Sequence, residues 1–156
     1  MLNIKIIALG KLKESYWQEA ENEYLKRLKP YAKIDLVEIP EEAFRDGDDR
    51  DKIKALEAAK IQKILPKGGL IMALHETGKE FTSPQLAQFL EENSSRGETI
   101  TFIIGGPLGI HESLLKQVPV QLSLSRLTFP HQMVRTILLE QIYRGVTIQK
   151  GKQYHY

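Results

Sequence analysis

Three short stretches of this 156-residue chain have the composition of a ligand site. The apolar run Ile100 to Ile104 stops at Gly105-Gly106-Pro107-Leu108-Gly109, and Gln121 to Leu124 stops at Ser125-Arg126-Leu127-Thr128-Phe129-Pro130. In an open α/β domain, a buried strand that ends in a glycine-rich or hydroxyl-rich turn and leads into a helix leaves backbone amides unpaired and open to close approach, so ligands sit there. A third run, Leu70 to His75, ends in the same way at Glu76-Thr77-Gly78-Lys79. If the three ends neighbour one another in a sheet, their loops enclose an apolar slot lined with backbone groups. A slot with so little charge suits a flat heterocycle such as adenine better than a polyphosphate.

Other chemistries lack their residues. There is no GxGxxG, no GK[ST] after the glycines, no HExxH, no GxSxG and no cysteine, which removes the dinucleotide fingerprint, the P-loop, the zinc sites and the nucleophile elbow. The histidines, His75, His111, His131 and His155, are scattered, and no metal is expected. The acidic segment Glu41 to Asp51 lacks the ligand spacing of a calcium loop and reads as a solvated loop. Absence of cysteine fits a reducing cytoplasm, where the protein is expected. No run approaches the roughly 20 apolar residues that cross a bilayer, so no membrane partner is expected, and LNIKIIAL reads as a strand rather than a signal.

The formal charge of +2 hides an asymmetry. Residues 41 to 51 hold six acids against two arginines, whereas residues 126 to 156 hold Arg126, Arg135, Arg144, Lys150 and Lys152 against Glu140 alone. A basic terminal patch is the electrostatic footprint of a polyanion-binding surface.

The elements that must position these residues follow from periodicity. Met1 to Leu9, Lys33 to Ile39, Leu70 to His75, Thr99 to Ile104 and Gln121 to Leu124 read as strands. Between them, Lys13 to Lys29, Asp51 to Leu65, a segment starting at Ser83-Pro84 and His111 to Val118 read as helices, and Pro130 to about Thr147 forms the last. Ser83 is the expected cap of the third helix. In the first, Tyr16, Trp17, Ala20, Tyr24, Leu25 and Leu28 form an apolar stripe, so core packing is favoured over base stacking for Trp17 and Tyr24. Alternating strands and helices with near-continuous apolar strands give an α/β fold, a mostly parallel sheet with helices on both faces, as one domain over residues 1–156.

The runs GGPLG, SRLTFPHQMVR, LLEQIYRG and the terminal YH resemble those of the ribosomal RNA large subunit methyltransferase H family, members of the SPOUT class of S-adenosylmethionine-dependent methyltransferases. The resemblance extends over essentially the whole chain, including ALGKLKESYWQEAENEYLKRL and IDLVEIP. It implies a C-terminal trefoil knot, which no reading of pattern would produce, and a homodimer. It also implies that S-adenosylmethionine lies in the knot loops. By matching motif these are Leu74, Gly105 and the segment of Leu124, Ser125, Arg126, Leu127, Thr128 and Phe129.

The implied substrate is a pseudouridine in the helix 69 loop of 23S ribosomal RNA, methylated at N3 in the assembled 70S ribosome. Methyl transfer is an in-line displacement for which the N3 proton must leave. Tyr154, His155 and Arg144 are then the expected catalytic residues, with an arginine near the imide favouring the anionic base. His131, Arg135, Lys150 and Lys152 are expected at the RNA. Tyr156 stands where the family commonly carries a basic residue. Arg135 and Arg144 lie nine residues apart, half a turn out of phase on a helix, so one is expected to serve its own subunit's pocket and the other the partner's. Two alternatives assign no catalysis: an RNA-binding module using the basic tail, and a dimeric interaction protein whose last helix is only an interface.

Overall fold

Alternation along the strands sets the layers. The computed structural model describes Met1–Tyr156. Its elements in order are β1 (Leu2–Leu9), α1 (Ser15–Leu28), β2 (Ala32–Ile39), α2 (Arg50–Gln62), β3 (Leu70–Glu80), α3 (Ser83–Ser95), β4 (Thr99–Ile104), α4 (Glu112–Leu115), β5 (Val120–Ser123) and α5 (His131–Gln149). Ile4 and Ile6 of β1, Met72 of β3 and Phe102 of β4 point to one face, where Leu28 of α1, Leu90 of α3 and Leu138, Leu139 and Ile142 of α5 cover them. Ile7, Ala73 and Ile103, each one residue along, point to the other face and meet Ala58 and Ile61 of α2 and Leu114 of α4. A period of two therefore feeds two cores, one on each side of the sheet.

All five strands are parallel, in the order β2-β1-β4-β3-β5. The expected α/β architecture with helices on both faces is what the chain adopts. The ladders set Ala73 beside Ile103 and Leu74 beside Leu122, so the C-terminal ends of β4, β3 and β5 come level and adjacent. No helix is long and apolar enough to cross a membrane.

Several boundaries differ from expectation, each for a local reason. The cap of α3 is Thr82, not Ser83: the Thr82 hydroxyl accepts from the Gln85 amide, and the Gln85 side chain accepts from the Thr82 amide at 2.9 Å. Thr-Ser-Pro-Gln is thus a capping box with proline in the first turn. α4 is a single turn, capped by the His111 ring, and the chain beyond it tightens into bonds from Gln117 to Leu114 and from Val118 to Leu115.

β3 does not end at His75. It runs to Glu80, and Leu122 of β5 pairs with both Leu74 and Lys79. The expected turn at Glu76–Lys79 is an excursion that leaves the ladder and rejoins it. Gly78 makes the return possible, because a Cβ there would lie 2.6 Å from the Gln121 carbonyl oxygen.

The apolar stripe of α1 is only partly used. Leu28 is buried and Tyr24 packs against the core, but Trp17 is half-buried and Tyr16 is 58% exposed. The other buried residue of this helix is an acid, Glu21. Its partner explains why. Arg135, expected at an RNA phosphate, is 4% exposed and spends its guanidinium inside the protein. Nε and Nη2 donate to the two Glu21 oxygens at 2.6 and 2.9 Å, and Nη1 donates to Glu38 at 2.7 Å. Burial works against the charge, yet the two carboxylates outweigh it and hold Arg135 above the ordinary arginine value. The expectation of Arg135 at an RNA phosphate or in a pocket does not fit this burial: its guanidinium is spent on Glu21 and Glu38, and it ties α5 to α1 and β2.

Removing one partner of a buried ion pair leaves uncompensated charge, so Arg135→Ala is expected to cost about 3–5 kcal/mol in urea unfolding. Arg135→Lys should recover only part, since a point charge cannot span both carboxylates as the guanidinium fork does. Wild-type stability in the alanine variant would contradict this role.

Candidate active site

The three level strand ends enclose a cavity of about 610 Å³, within the range of small-molecule sites. One wall is the glycine turn after β4. Gly105 must lack a side chain there, because a Cβ would meet Ile110 Cγ1 at 2.8 Å and the Gly109 backbone at 3.1 Å. The turn closes with the Gly109 amide donating to the Gly106 carbonyl at 3.0 Å, and Gly109 sits at φ +82°. Leu74 and Leu122 form the floor, and the segment between β5 and α5 forms the opposite wall.

That segment is fastened to the β3 excursion. The Ser123 hydroxyl donates to the Glu76 carbonyl at 3.0 Å, and the Thr128 hydroxyl donates to the Glu76 carboxylate at 3.0 Å. Within the segment, the Leu127 amide donates to the Ser125 hydroxyl at 3.0 Å. Leu124, Ser125, Leu127, Thr128 and Phe129 all line the cavity, as do Leu74 and Gly105. Arg126 does not. Its side chain is 86% exposed and its Nε donates to Glu80 at 2.7 Å, on the outside of the segment.

His131, expected at the RNA, lies on the cavity wall in the first turn of α5. His75, Glu76 and Lys54 line it too. Nothing in the sequence marks these three as a set, since they come from an excursion and a helix that only the tertiary fold brings together. His75 Nδ1 accepts from the Thr77 amide at 3.2 Å, which leaves the proton of the neutral ring on Nε2. No group of histidines and acids is arranged to hold a metal ion.

The expected catalytic residues gather elsewhere. Arg144 donates from Nε and Nη2 to Glu140 Oε1 at 3.0 and 2.6 Å, and the Tyr154 hydroxyl donates to the same oxygen at 3.2 Å. Arg144 Nη1 lies 3.2 Å from His155 Nδ1. The Tyr154 ring packs edge-on against Tyr143, with centroids 4.9 Å apart, and the Arg144 guanidinium lies over it at 4.9 Å. Tyr154 and His155 are thus docked on α5 rather than frayed. Lys152 bonds the Tyr31 hydroxyl and covers that ring, while Lys150 and Tyr156 are exposed. The Glu140–Arg144 pair was readable as an acid four residues before a base on a helix; its use as the anchor of the tail was not.

Cavity and tail stand at opposite ends of α5. His131 and Arg144 are 13 residues apart, about 20 Å along a helix that rises roughly 1.5 Å per residue. Within one chain the tail group does not reach the slot.

A parallel α/β sheet whose adjacent strand ends carry glycine and hydroxyl turns around one cleft is the framework of a small-molecule-dependent enzyme. The chain matches the model of the predicted SPOUT methyltransferase family over residues 2–155, and it belongs to that family. Its class of activity is methyl transfer, and methyltransferases of this kind generally use S-adenosylmethionine.

Burial pushes the Tyr154 phenol up, and the neighbouring Tyr24 hydroxyl and Glu140 carboxylate add to the rise. Its proton therefore stays on. In an alkaline titration followed by phenolate absorbance, one tyrosine should resist ionisation beyond 10.0, the unperturbed value, and Tyr154→Phe should remove it. Because the folded value lies above the unfolded one, docking of the tail contributes fully below the unfolded value and is lost as pH rises through the folded one.

Proposed function

We propose that this protein transfers a methyl group from S-adenosylmethionine to N3 of a pseudouridine in the helix 69 loop of 23S ribosomal RNA, acting in the cytoplasm on the assembled 70S ribosome as a homodimer. The observation that carries the donor site is the cavity. It is lined by the three motif segments, Leu74 and Leu122 make part of its surface apolar, and the missing side chain at Gly105 lets the glycine turn fold back tightly against Ile110 to form one wall. The trefoil expected from the family resemblance would be tied where the β5–α5 segment fastens to the β3 excursion. The RNA target rests on the family resemblance and on the basic end of the chain, where Lys150 and Lys152, joined by the outward-facing Arg126, would meet phosphates and His131 would stand at the mouth of the slot.

The distance between slot and tail supports a composite site. In a dimer with its α5 helices antiparallel, the tail of one subunit comes to the slot of the other. When bound, the donor supplies an activated methyl group on a sulfonium and departs as a neutral thioether. The chain's own groups would hold the base and take its proton. Arg144 would turn from His155 to the imide oxygen and stabilise the N3 anion, and His155 Nδ1, freed, would accept the N3 proton, so that the base presents a nucleophilic nitrogen to the donor's methyl group. Tyr154, held protonated, acts as a hydrogen-bond donor and not as the base.

Labelled S-adenosylmethionine should place methyl groups on intact 70S particles and far less on separated subunits or naked RNA. Gly105→Val should lower incorporation at least about tenfold, because its side chain would collide with Ile110 and the Gly109 backbone and displace the turn that walls the slot. Mixed dimers of a Gly105→Val chain with an Arg144→Ala chain should regain activity that both parents lack, since one of their two sites then receives an intact slot and an intact tail. Failure of the mixed dimers would refute the shared site. RNA binding without donor binding would leave an RNA-binding module in place of an enzyme.

A further inference from the structure

We infer that Glu76 is the residue by which this protein distinguishes a positively charged methyl donor from its neutral product. This rests on the assignment of the cavity to S-adenosylmethionine. Glu76 supplies the only carboxylate of the cavity lining. It is there because the chain leaves the β3 ladder after Leu74 and rejoins it at Lys79, with Gly78 pressed against Gln121 at the return. The side chain does not swing freely: Thr128 donates to its Oε2 at 3.0 Å, and its carbonyl oxygen accepts from Ser123 at 3.0 Å.

The arginine of the facing segment is otherwise engaged. Arg126, two residues before Thr128, pairs with Glu80 at 2.7 Å outside the cavity. Lys54, the other fixed charge of the lining, comes from α2 and also faces Pro107 and Leu108 of the glycine turn. The cavity therefore has a negative wall, on the side of Thr128, and a positive one, on the side of the glycines.

A carboxylate fixed at the wall of an apolar slot attracts a permanent cation and gives nothing to a thioether of the same shape. The donor carries its positive charge on sulfur, and that charge vanishes when the methyl group leaves. Attraction to Glu76 weakens over the course of transfer, so it favours loading of the donor and release of the product rather than the chemical step itself. Thr128 contributes by holding the carboxylate in place.

Calorimetric titration of the wild-type protein and of Glu76→Gln with S-adenosylmethionine and with S-adenosylhomocysteine separates the possibilities. Glutamine retains an acceptor for Thr128 and removes only the charge. Affinity for S-adenosylmethionine should fall about tenfold and that for S-adenosylhomocysteine less than about twofold. The wild-type preference should also shrink between low salt and about 0.5 M salt, where the Debye length is only a few ångströms, and Thr128→Val should show a smaller loss in the same direction. Equal changes for both ligands, or none, would overturn the role of Glu76 while leaving the donor site standing. Binding of neither ligand to the wild-type protein would overturn the donor site itself.

Discussion

The arginine buried among α1, β2 and α5 sets the position of the last helix, and the cavity inherits that position. Arg135 lies one residue after Val134 and four after His131, both on the cavity wall. Its bonds to Glu21 and Glu38 fix the first turns of α5 against α1 on the same face and against β2, the edge strand opposite β5. Apolar packing alone would hold α5 less specifically, because Leu138, Leu139 and Ile142 can slide along a smooth face at modest cost. A fork of donors between two carboxylates cannot slide without leaving charge unpaired in the interior.

The opposite end of the same segment is held by different means. Between Ser123 and Pro130 the chain makes few apolar contacts and relies on Glu76, which accepts from Ser123 through its backbone and from Thr128 through its side chain. These bonds are partly exposed, and each is worth far less than the buried ion network. The cavity therefore has one wall closed on itself by the glycine turn and one wall held by side-chain hydrogen bonds to the β3 excursion.

Much of this was legible in the sequence. The three strand ends stood out because an apolar run that stops at glycine or hydroxyl residues has the form of a buried strand meeting a turn, and helix-forming segments between the runs required a parallel sheet. That the ends are neighbours was conditional until the order β4-β3-β5 placed them together. Arg135 was misleading for a physical reason: a charge counted in a basic tail carries no information about burial, and Glu21 sits on a helix whose apolar stripe hides the acid among aromatics. Glu76-Thr77-Gly78-Lys79 has the composition of a turn, and only the pairing of Leu122 with two residues of β3 reveals that the strand resumes. Non-local register of this kind leaves no trace in a local pattern.

The docked tail shows how one carboxylate can organise a reactive group at a distance from the slot. Glu140 Oε1 accepts from two nitrogens of Arg144 and from the Tyr154 hydroxyl, and Oε2 accepts from Gln141 at 2.7 Å. Three of these bonds crowd Oε1 and one falls on Oε2, out of about four lone-pair sites. Arg144 is held above its ordinary value by the bonds to Glu140, and Tyr154 is raised by burial and its neighbours, so both are protonated donors at neutral pH. His155 Nδ1 lies 3.2 Å from Nη1 of the same arginine and is the third polar side chain of this cluster. With Arg144 and Tyr154 both tied to Glu140 Oε1, the end of the chain is held in one arrangement on α5 before any ligand arrives, which lowers the ordering cost of binding there.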